Sequence, residues 1–150
     1  MTVEEERVDD LALERQLCFA LSVASRNVVA AYRPVLDPLG LTHPQYLVML
    51  ALWGESPLTL RELGERLQLD PGTLSPLLKR LEASGYVERK RRPEDGRALA
   101  VVPTVAGIAL RRDAERVPVE MMRRLGMSVE ELASLHRLMN RLAEAARRTL

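Results

Sequence analysis

The sequence predicts a mainly α-helical chain with one small β-hairpin. Three observations carry this expectation. Leucines recur at Leu74, Leu77, Leu78 and Leu81, the i, i+3, i+4, i+7 spacing of a helix face turned toward a core. Hydroxyl-to-carboxylate capping boxes recur, from Thr59 to Glu62 and from Ser128 to Glu131. Two short strand-like runs, residues 86–90 and 98–102, flank a charged tip whose Asp95-Gly96 pair is hairpin-turn chemistry.

The elements follow in order. Residues 10–35 read as one helix that is apolar on more than one side (Leu11, Leu13, Leu17, Phe19, Leu21, Val23, Val28, Val29), which predicts burial against another element or another chain. Pro34 and Pro38 kink or end it. Thr42 then caps a second helix with Pro44 in its first turn, ending at Gly54. Residues 55–57 form a loop. The Thr59 box opens a short helix to about Leu67, and Asp70-Pro71 caps the next, which ends at Gly85. After the hairpin, Thr104 caps a helix bent at Pro118, and Ser128 opens the last one. There Leu132, Leu135, Met139 and Leu142 line one side at near-heptad spacing. Trp53 is expected as a core anchor, and Met121 and Met122 as core or interface fillers.

Composition bounds the function. The chain has 150 residues, which fits a single domain over 1–150. Its 47% hydrophobic content supports a core, and its 3% aromatic content predicts a core of Leu, Val and Ala. No apolar run approaches the roughly 20 residues that span a bilayer. The first ten residues are acidic, unlike a signal peptide, so a cytoplasmic protein with no membrane partner is expected. One cysteine, Cys18, can form neither an internal disulfide nor a multi-cysteine zinc site. His43 and His136 show no ligand spacing, so neither metal nor cofactor is expected. No serine has the setting of a hydrolytic triad, and no enzyme is predicted.

The middle third, residues 42–103, is thus helix, tight turn, helix and two-stranded hairpin, the order of a winged helix-turn-helix. If the leucine stripe faces the core, the second helix presents Thr73, Ser75, Pro76, Lys79 and Arg80 outward. Small polar residues near a helix start can approach base edges, and Lys79 and Arg80 can reach phosphates. The wing adds Arg89, Lys90, Arg91, Arg92 and Arg97. Between Lys79 and Arg97, seven basic and four acidic residues leave a local balance of +3, against +1 for the chain. Positive charge is therefore concentrated on this module. A run of basic residues alone also fits a solvated hairpin. The ordered combination with the turn and the leucine stripe points to double-stranded DNA. One module reads few base pairs, so a homodimer on a (pseudo)palindromic operator is expected. The helical ends, 1–40 and 104–150, supply the dimerisation surface.

Asp95-Gly96-Arg97-Ala98, followed by Pro103-Thr104 and Gly107, resembles the wing signature of MarR-type regulators. The run Asp70-Pro71-Gly72-Thr73-Leu74-Ser75-Pro76 resembles that family's recognition helix. The resemblance implies that Asp95 and Arg97 shape the wing tip, with Arg97 in or beside the minor groove. Gln16-Leu17-Cys18-Phe19-Ala20-Leu21, Tyr32-Arg33-Pro34 and Thr42-His43-Pro44-Gln45-Tyr46 are similar to the OhrR branch of the family. That likeness implies a repressor that senses organic hydroperoxides through Cys18 and releases DNA on oxidation.

The chemistry requires a site that favours the thiolate, since the thiolate attacks the peroxide bond. The start of a helix helps, and hydroxyl donors help further; Tyr32 and Tyr46 are the candidates. Cys18 and Tyr32 are fourteen positions apart, about 21 Å along a straight helix. Tyr32 therefore serves Cys18 only from a partner subunit. The branch often has a tyrosine four residues after the sensor cysteine, where this chain has Ser22, and another where it has His43. Both can still donate a hydrogen bond. With no second cysteine, the oxidised thiol would be trapped as a mixed disulfide with a small thiol or oxidised further. Two other readings stay open: a regulator answering to a small phenolic or lipophilic ligand, with Cys18 a packed small residue, and a thiol peroxidase, which leaves the winged module unexplained.

Overall fold

The computed structural model describes residues 10–91 and 99–150. Helix α1 (Leu17–Leu36) follows a short 3-10 turn, Leu13–Arg15. The expectation of one helix from residue 10 to 35 is corrected at its start. Gln16 is extended, and its side-chain amide donates to the carbonyls of Asp10 (2.8 Å) and Ala12 (3.2 Å). Those bonds fold the incoming chain back, so helix begins only at Leu17. Pro34 lies inside α1 without ending it, and a second 3-10 turn, Asp37–Leu39, closes on Gly40 in the left-handed region (φ 70°).

Helix α2 (His43–Gly54) opens with a full capping box. Gln45 N donates to Thr42 Oγ1 at 3.4 Å, and Thr42 N donates to Gln45 Oε1 at 3.0 Å. It runs through the centre, with Tyr46, Val48, Met49, Ala51 and Leu52 buried. Strand β1 (Leu58–Thr59) comes next, then α3 (Leu60–Leu67) and α4 (Pro71–Ala83). Strands β2 (Val87–Arg91) and β3 (Leu99–Pro103) follow. The sheet is antiparallel, in the order β1-β3-β2, with Leu58 opposite Val101 and Arg89 opposite Val101 on the other side.

The hairpin expectation omits β1. Two residues after a proline carry no visible alternation, and Thr59 doubles as the cap of α3, which hides its strand role. The strand pair itself is shifted one residue along from the expected runs.

On α4 the leucine stripe is narrower than expected. Leu74, Leu78 and Leu81 are fully buried, and Leu77 is half-buried. At 100° per residue Leu77 lies about 60° from Leu74, at the edge of the stripe.

Helices α5 (Val105–Ala114) and α6 (Arg116–Leu125) are separated at Glu115, three residues before Pro118. Proline has no N–H to donate to the carbonyl four residues back, that of Ala114, so the interruption appears upstream of the proline rather than at it. Gly126 turns the chain in the left-handed region (φ 63°) into α7 (Val129–Arg147).

One core joins the end of α1 (Val35, Leu36) to α2, α3, α4, the sheet, and α5–α6 through Leu110, Ala114, Val117 and Met121. The first eighteen residues of α1 and the whole of α7 contribute no fully buried residue. The wing module is therefore well packed, and two helical arms extend from it with apolar side chains in solvent.

Candidate functional site

The second helix of the helix-turn-helix presents Thr73, Pro76, Lys79 and Arg80 to solvent, with Ser75 half-buried. Asp70 fixes the start of this helix. Its Oδ2 accepts from Thr73 N at 3.2 Å, and its Oδ1 accepts from Thr73 Oγ1 at 2.6 Å. The Thr73 hydroxyl holds the Asp70 carboxyl below its ordinary pKa. Thr73 thus offers outward its oxygen lone pairs and methyl, not its proton. Lys79 and Arg80 make no ion pair among the described residues.

The first strand of the wing is braced on α4. Arg89 Nε donates to Glu82 Oε1, and both side chains are about one-third exposed. Part of the Arg89 fork is therefore committed to holding β2 against α4. Lys90 pairs with Glu88 at 3.1 Å, and Arg91 is exposed at the strand end. Arg92, Asp95 and Arg97, singled out from the sequence as the wing tip, lie outside the described residues.

Polar bonds tie this head to the arms on both sides of it. Trp53 Nε1 donates to Gly107 O at 2.9 Å. Thr104 Oγ1 donates to Gly85 O at 2.5 Å, and Tyr86 OH donates to Leu39 O at 3.3 Å. A Cβ on Gly107 would lie 2.1 Å from Tyr86 O, so only glycine allows α5 to approach so closely. In the sequence Trp53 reads as an apolar anchor and Gly107 as part of a signature. The bond between them has no local signal, because the two are 54 positions apart.

Cys18 is the second residue of α1 and is exposed. Ser22, one turn on, is also exposed. At the other end of α1, Tyr32 meets His43 and Tyr46 of α2. Ring centroids are 4.7 Å apart for Tyr32–His43, 6.0 Å for Tyr32–Tyr46 and 6.5 Å for His43–Tyr46. Burial lowers the pKa of His43, and burial with the neighbouring Tyr32 raises that of Tyr46. The fold thus gathers Tyr32, His43 and Tyr46 within one protomer. Cys18 and Ser22 stand toward the opposite end of the helix, Cys18 about 21 Å from Tyr32 along its axis. His136 is exposed on α7. Among the described residues no helix is long and apolar enough to cross a membrane.

A capped recognition helix and a braced wing, carried between helical arms, define a DNA-binding transcriptional regulator. Residues 41–99 match the MarR family. The chain is 41% identical over 140 residues to the organic hydroperoxide resistance transcriptional regulator of Bacillus subtilis (strain 168), covering 93% of this chain and 95% of that protein. It is 38% identical over 126 residues to the HTH-type transcriptional regulator SarZ of Staphylococcus saprophyticus, covering 84% and 86%. The solved structure of reduced AbfR bound to DNA matches with a TM-score of 0.73 at 33% identity, over 89% of this chain and 94% of that one. The chain belongs to the MarR family; it is a DNA-binding transcriptional regulator and not an enzyme.

Proposed function

We propose that this regulator is a homodimeric repressor that releases a (pseudo)palindromic operator when an organic hydroperoxide oxidises Cys18. The observation that carries the reading is the split sensor. Tyr32, His43 and Tyr46 form a cluster with no thiol of their own protomer beside it, and Cys18 stands exposed at the far end of the same helix. In a dimer whose α1 helices run against each other, the cluster of one protomer meets Cys18 of the partner subunit. The name of the Bacillus subtilis relative supports the effector class.

Residues 1–40 and 104–150 form the dimerisation region in this reading, and 42–103 the DNA-binding module. The exposed apolar side chains of α1 and α7, among them Leu17, Phe19, Leu135 and Leu138, supply the contact surface. Lys79, Arg80, Arg89, Lys90, Arg91, Arg92 and Arg97 carry phosphate and groove contacts, Thr73, Ser75 and Pro76 approach base edges, and Asp95 shapes the wing tip.

In the reaction the thiolate sulfur attacks the distal peroxide oxygen. An S–O bond forms and the O–O bond breaks; the alkoxide leaves and takes a proton as an alcohol, and Cys18 becomes a sulfenic acid. A small thiol then attacks that sulfur, forming a mixed disulfide and releasing water. Ser22 and the partner's cluster of Tyr32, His43 and Tyr46 supply hydrogen-bond donors around the sulfur in this reading. Modification within the interface changes the spacing of the two reading heads.

The test is operator binding before and after cumene hydroperoxide, for wild type and Cys18→Ser. Wild type is expected to release DNA and Cys18→Ser to remain bound. Equal release by both proteins overturns the sensor assignment.

A further inference from the structure

Helix α4 carries Pro76 inside it, past the first turn where proline is at home. Proline has no N–H, so the carbonyl of Gly72, four residues back, lacks its donor in the helix. No side chain among the described residues donates to it either. Gly72 and Pro76 are both exposed, on the face that also presents Lys79 and Arg80. Glycine puts no side chain between that carbonyl and an approaching ligand. A Cβ at Gly72 would meet only Asp70 Oδ2, at 3.0 Å. Carbonyls on the solvent side of a helix tilt outward, and the proline ring crowds this one away from the axis.

The donors of the same stretch are already engaged. Thr73 N and Thr73 Oγ1 both donate to Asp70, and the Gly72 amide acts on that carboxyl as well. Leu74 N donates to Asp70 O. Apart from the half-buried Ser75 hydroxyl, residues 71–76 therefore present acceptors and apolar groups. We infer that Gly72 O reads an exocyclic amine in the major groove, the group that adenine and cytosine carry there and guanine and thymine lack. Pro76 sets this specificity by leaving the carbonyl unpaired. The inference rests on α4 being the helix that enters the groove, as in the function proposed above. In the free protein water satisfies the carbonyl. Once the groove displaces that water, the carbonyl finds a donor on a base or goes unpaired at a cost. Guanine O6 and N7, or thymine O4, would face it with lone pairs and are excluded at this position.

The first experiment uses the full chain in reduced form. Wild type selects its site from a pool of randomised DNA duplexes, and fluorescence anisotropy then measures affinity with each base pair replaced in turn. One position in each half-site is expected to demand adenine or cytosine, and guanine or thymine there should cost about tenfold. The selection identifies which of the two bases supplies the amine. Purine in place of that adenine, or pyrimidin-2-one in place of that cytosine, deletes the amine alone and should cost as much. A wild-type protein indifferent to loss of the amine at every adenine and cytosine of the half-site overturns the inference.

The second experiment closes the carbonyl off. Pro76→Val keeps apolar bulk on the helix face and supplies an N–H that bonds to Gly72 O. This variant is expected to unfold at a higher temperature than wild type, since proline is the poorer helix residue. It should bind the amine-bearing base and its deleted analogue with equal affinity. Pro76→Glu tests the reading beneath the inference, because a carboxylate on the outward face of α4 repels DNA if that helix enters the groove. Undiminished binding by Pro76→Glu takes α4 out of the groove, and the inference falls with it. Lost binding by Pro76→Glu together with wild-type discrimination by Pro76→Val leaves α4 in the groove and overturns the role of Gly72 O alone.

Discussion

Tyr32 and His43 meet at the junction of α1 and α2 with ring centroids 4.7 Å apart and planes inclined by 52°. The contact has a titration consequence. Burial disfavours the imidazolium, so the folded-state pKa of His43 lies below its ordinary 6.5. Between the two values the unfolded chain binds more protons than the folded one, and stability rises with pH there. The contribution is fully present above about 6.5 and is lost as pH falls from there through the folded-state pKa. Urea unfolding of wild type and His43→Phe at about pH 5.5 and about pH 7.5, on either side of the ordinary histidine value, checks this. Wild type should lose more stability than the variant on acidification, and parallel losses would remove His43 as the titrating group.

The joint between head and arm predicts two graded losses. Gly107→Ala drives a methyl group into Tyr86 O, because the added Cβ would lie 2.1 Å from it. Overpacking of this kind typically costs about 1–3 kcal/mol, and a lowered thermal midpoint reports it. Trp53→Phe keeps the aromatic bulk and removes the donor to Gly107 O, an effect of about 1 kcal/mol. Should Gly107→Ala unfold at the wild-type temperature, the close approach of α5 to Tyr86 is wrong.

Much of this architecture is legible in the chain because its determinants are local. Thr42, Thr59, Asp70, Thr104 and Ser128 announce five helix starts within three residues of their partners, and each accepts the amide expected of a cap. What stays hidden depends on distant partners. β1 exists only because Leu58 and Thr59 find Val101 and Ala100. The start of α1 depends on Gln16 reaching back to Asp10. The Tyr32–His43–Tyr46 cluster is visible in the sequence as residue types but not as a contact, since α1 and α2 must fold against each other to form it. Arg89 reads there as a free charge, and its pairing with Glu82 seven residues earlier appears only once β2 turns back beside α4.

That pairing separates two classes of basic residue on the DNA-binding face. Lys79 and Arg80 are exposed without ion-pair partners among the described residues, so in the function proposed above each serves as a phosphate ligand alone. Replacing either by Ala should weaken operator binding at every sequence tested. It should also lower the slope of log affinity against log salt by about 0.9 for each phosphate no longer neutralised. Arg89→Ala releases the wing from Glu82 as well, so its affinity should fall by more than its change in salt slope explains. Fluorescence anisotropy across a salt series distinguishes the two. An Arg80→Ala protein with an unaltered slope would take Arg80 off the phosphate backbone.

The last helix carries the most direct test of assembly. Leu135 and Leu138 on α7 are 44% and 54% exposed in the protomer, and α7 has no buried residue. Apolar side chains presented by a helix of this length are covered by another chain in the arrangement proposed above. A charge at Leu138 cannot be buried there without a partner, and its desolvation costs several kcal/mol. Leu138→Glu is therefore expected to shift the protein from dimer to monomer in sedimentation, because a protomer that buries nothing on α7 keeps its own core intact. The thermal unfolding of the monomer should keep the cooperativity of the core built on Leu36, Met49 and Leu78. Operator affinity should fall as dimerisation is lost, since one head engages a single half-site. A Leu138→Glu protein that stays dimeric at micromolar concentration places the interface elsewhere, and the meeting of Cys18 with the partner's cluster would then need another geometry.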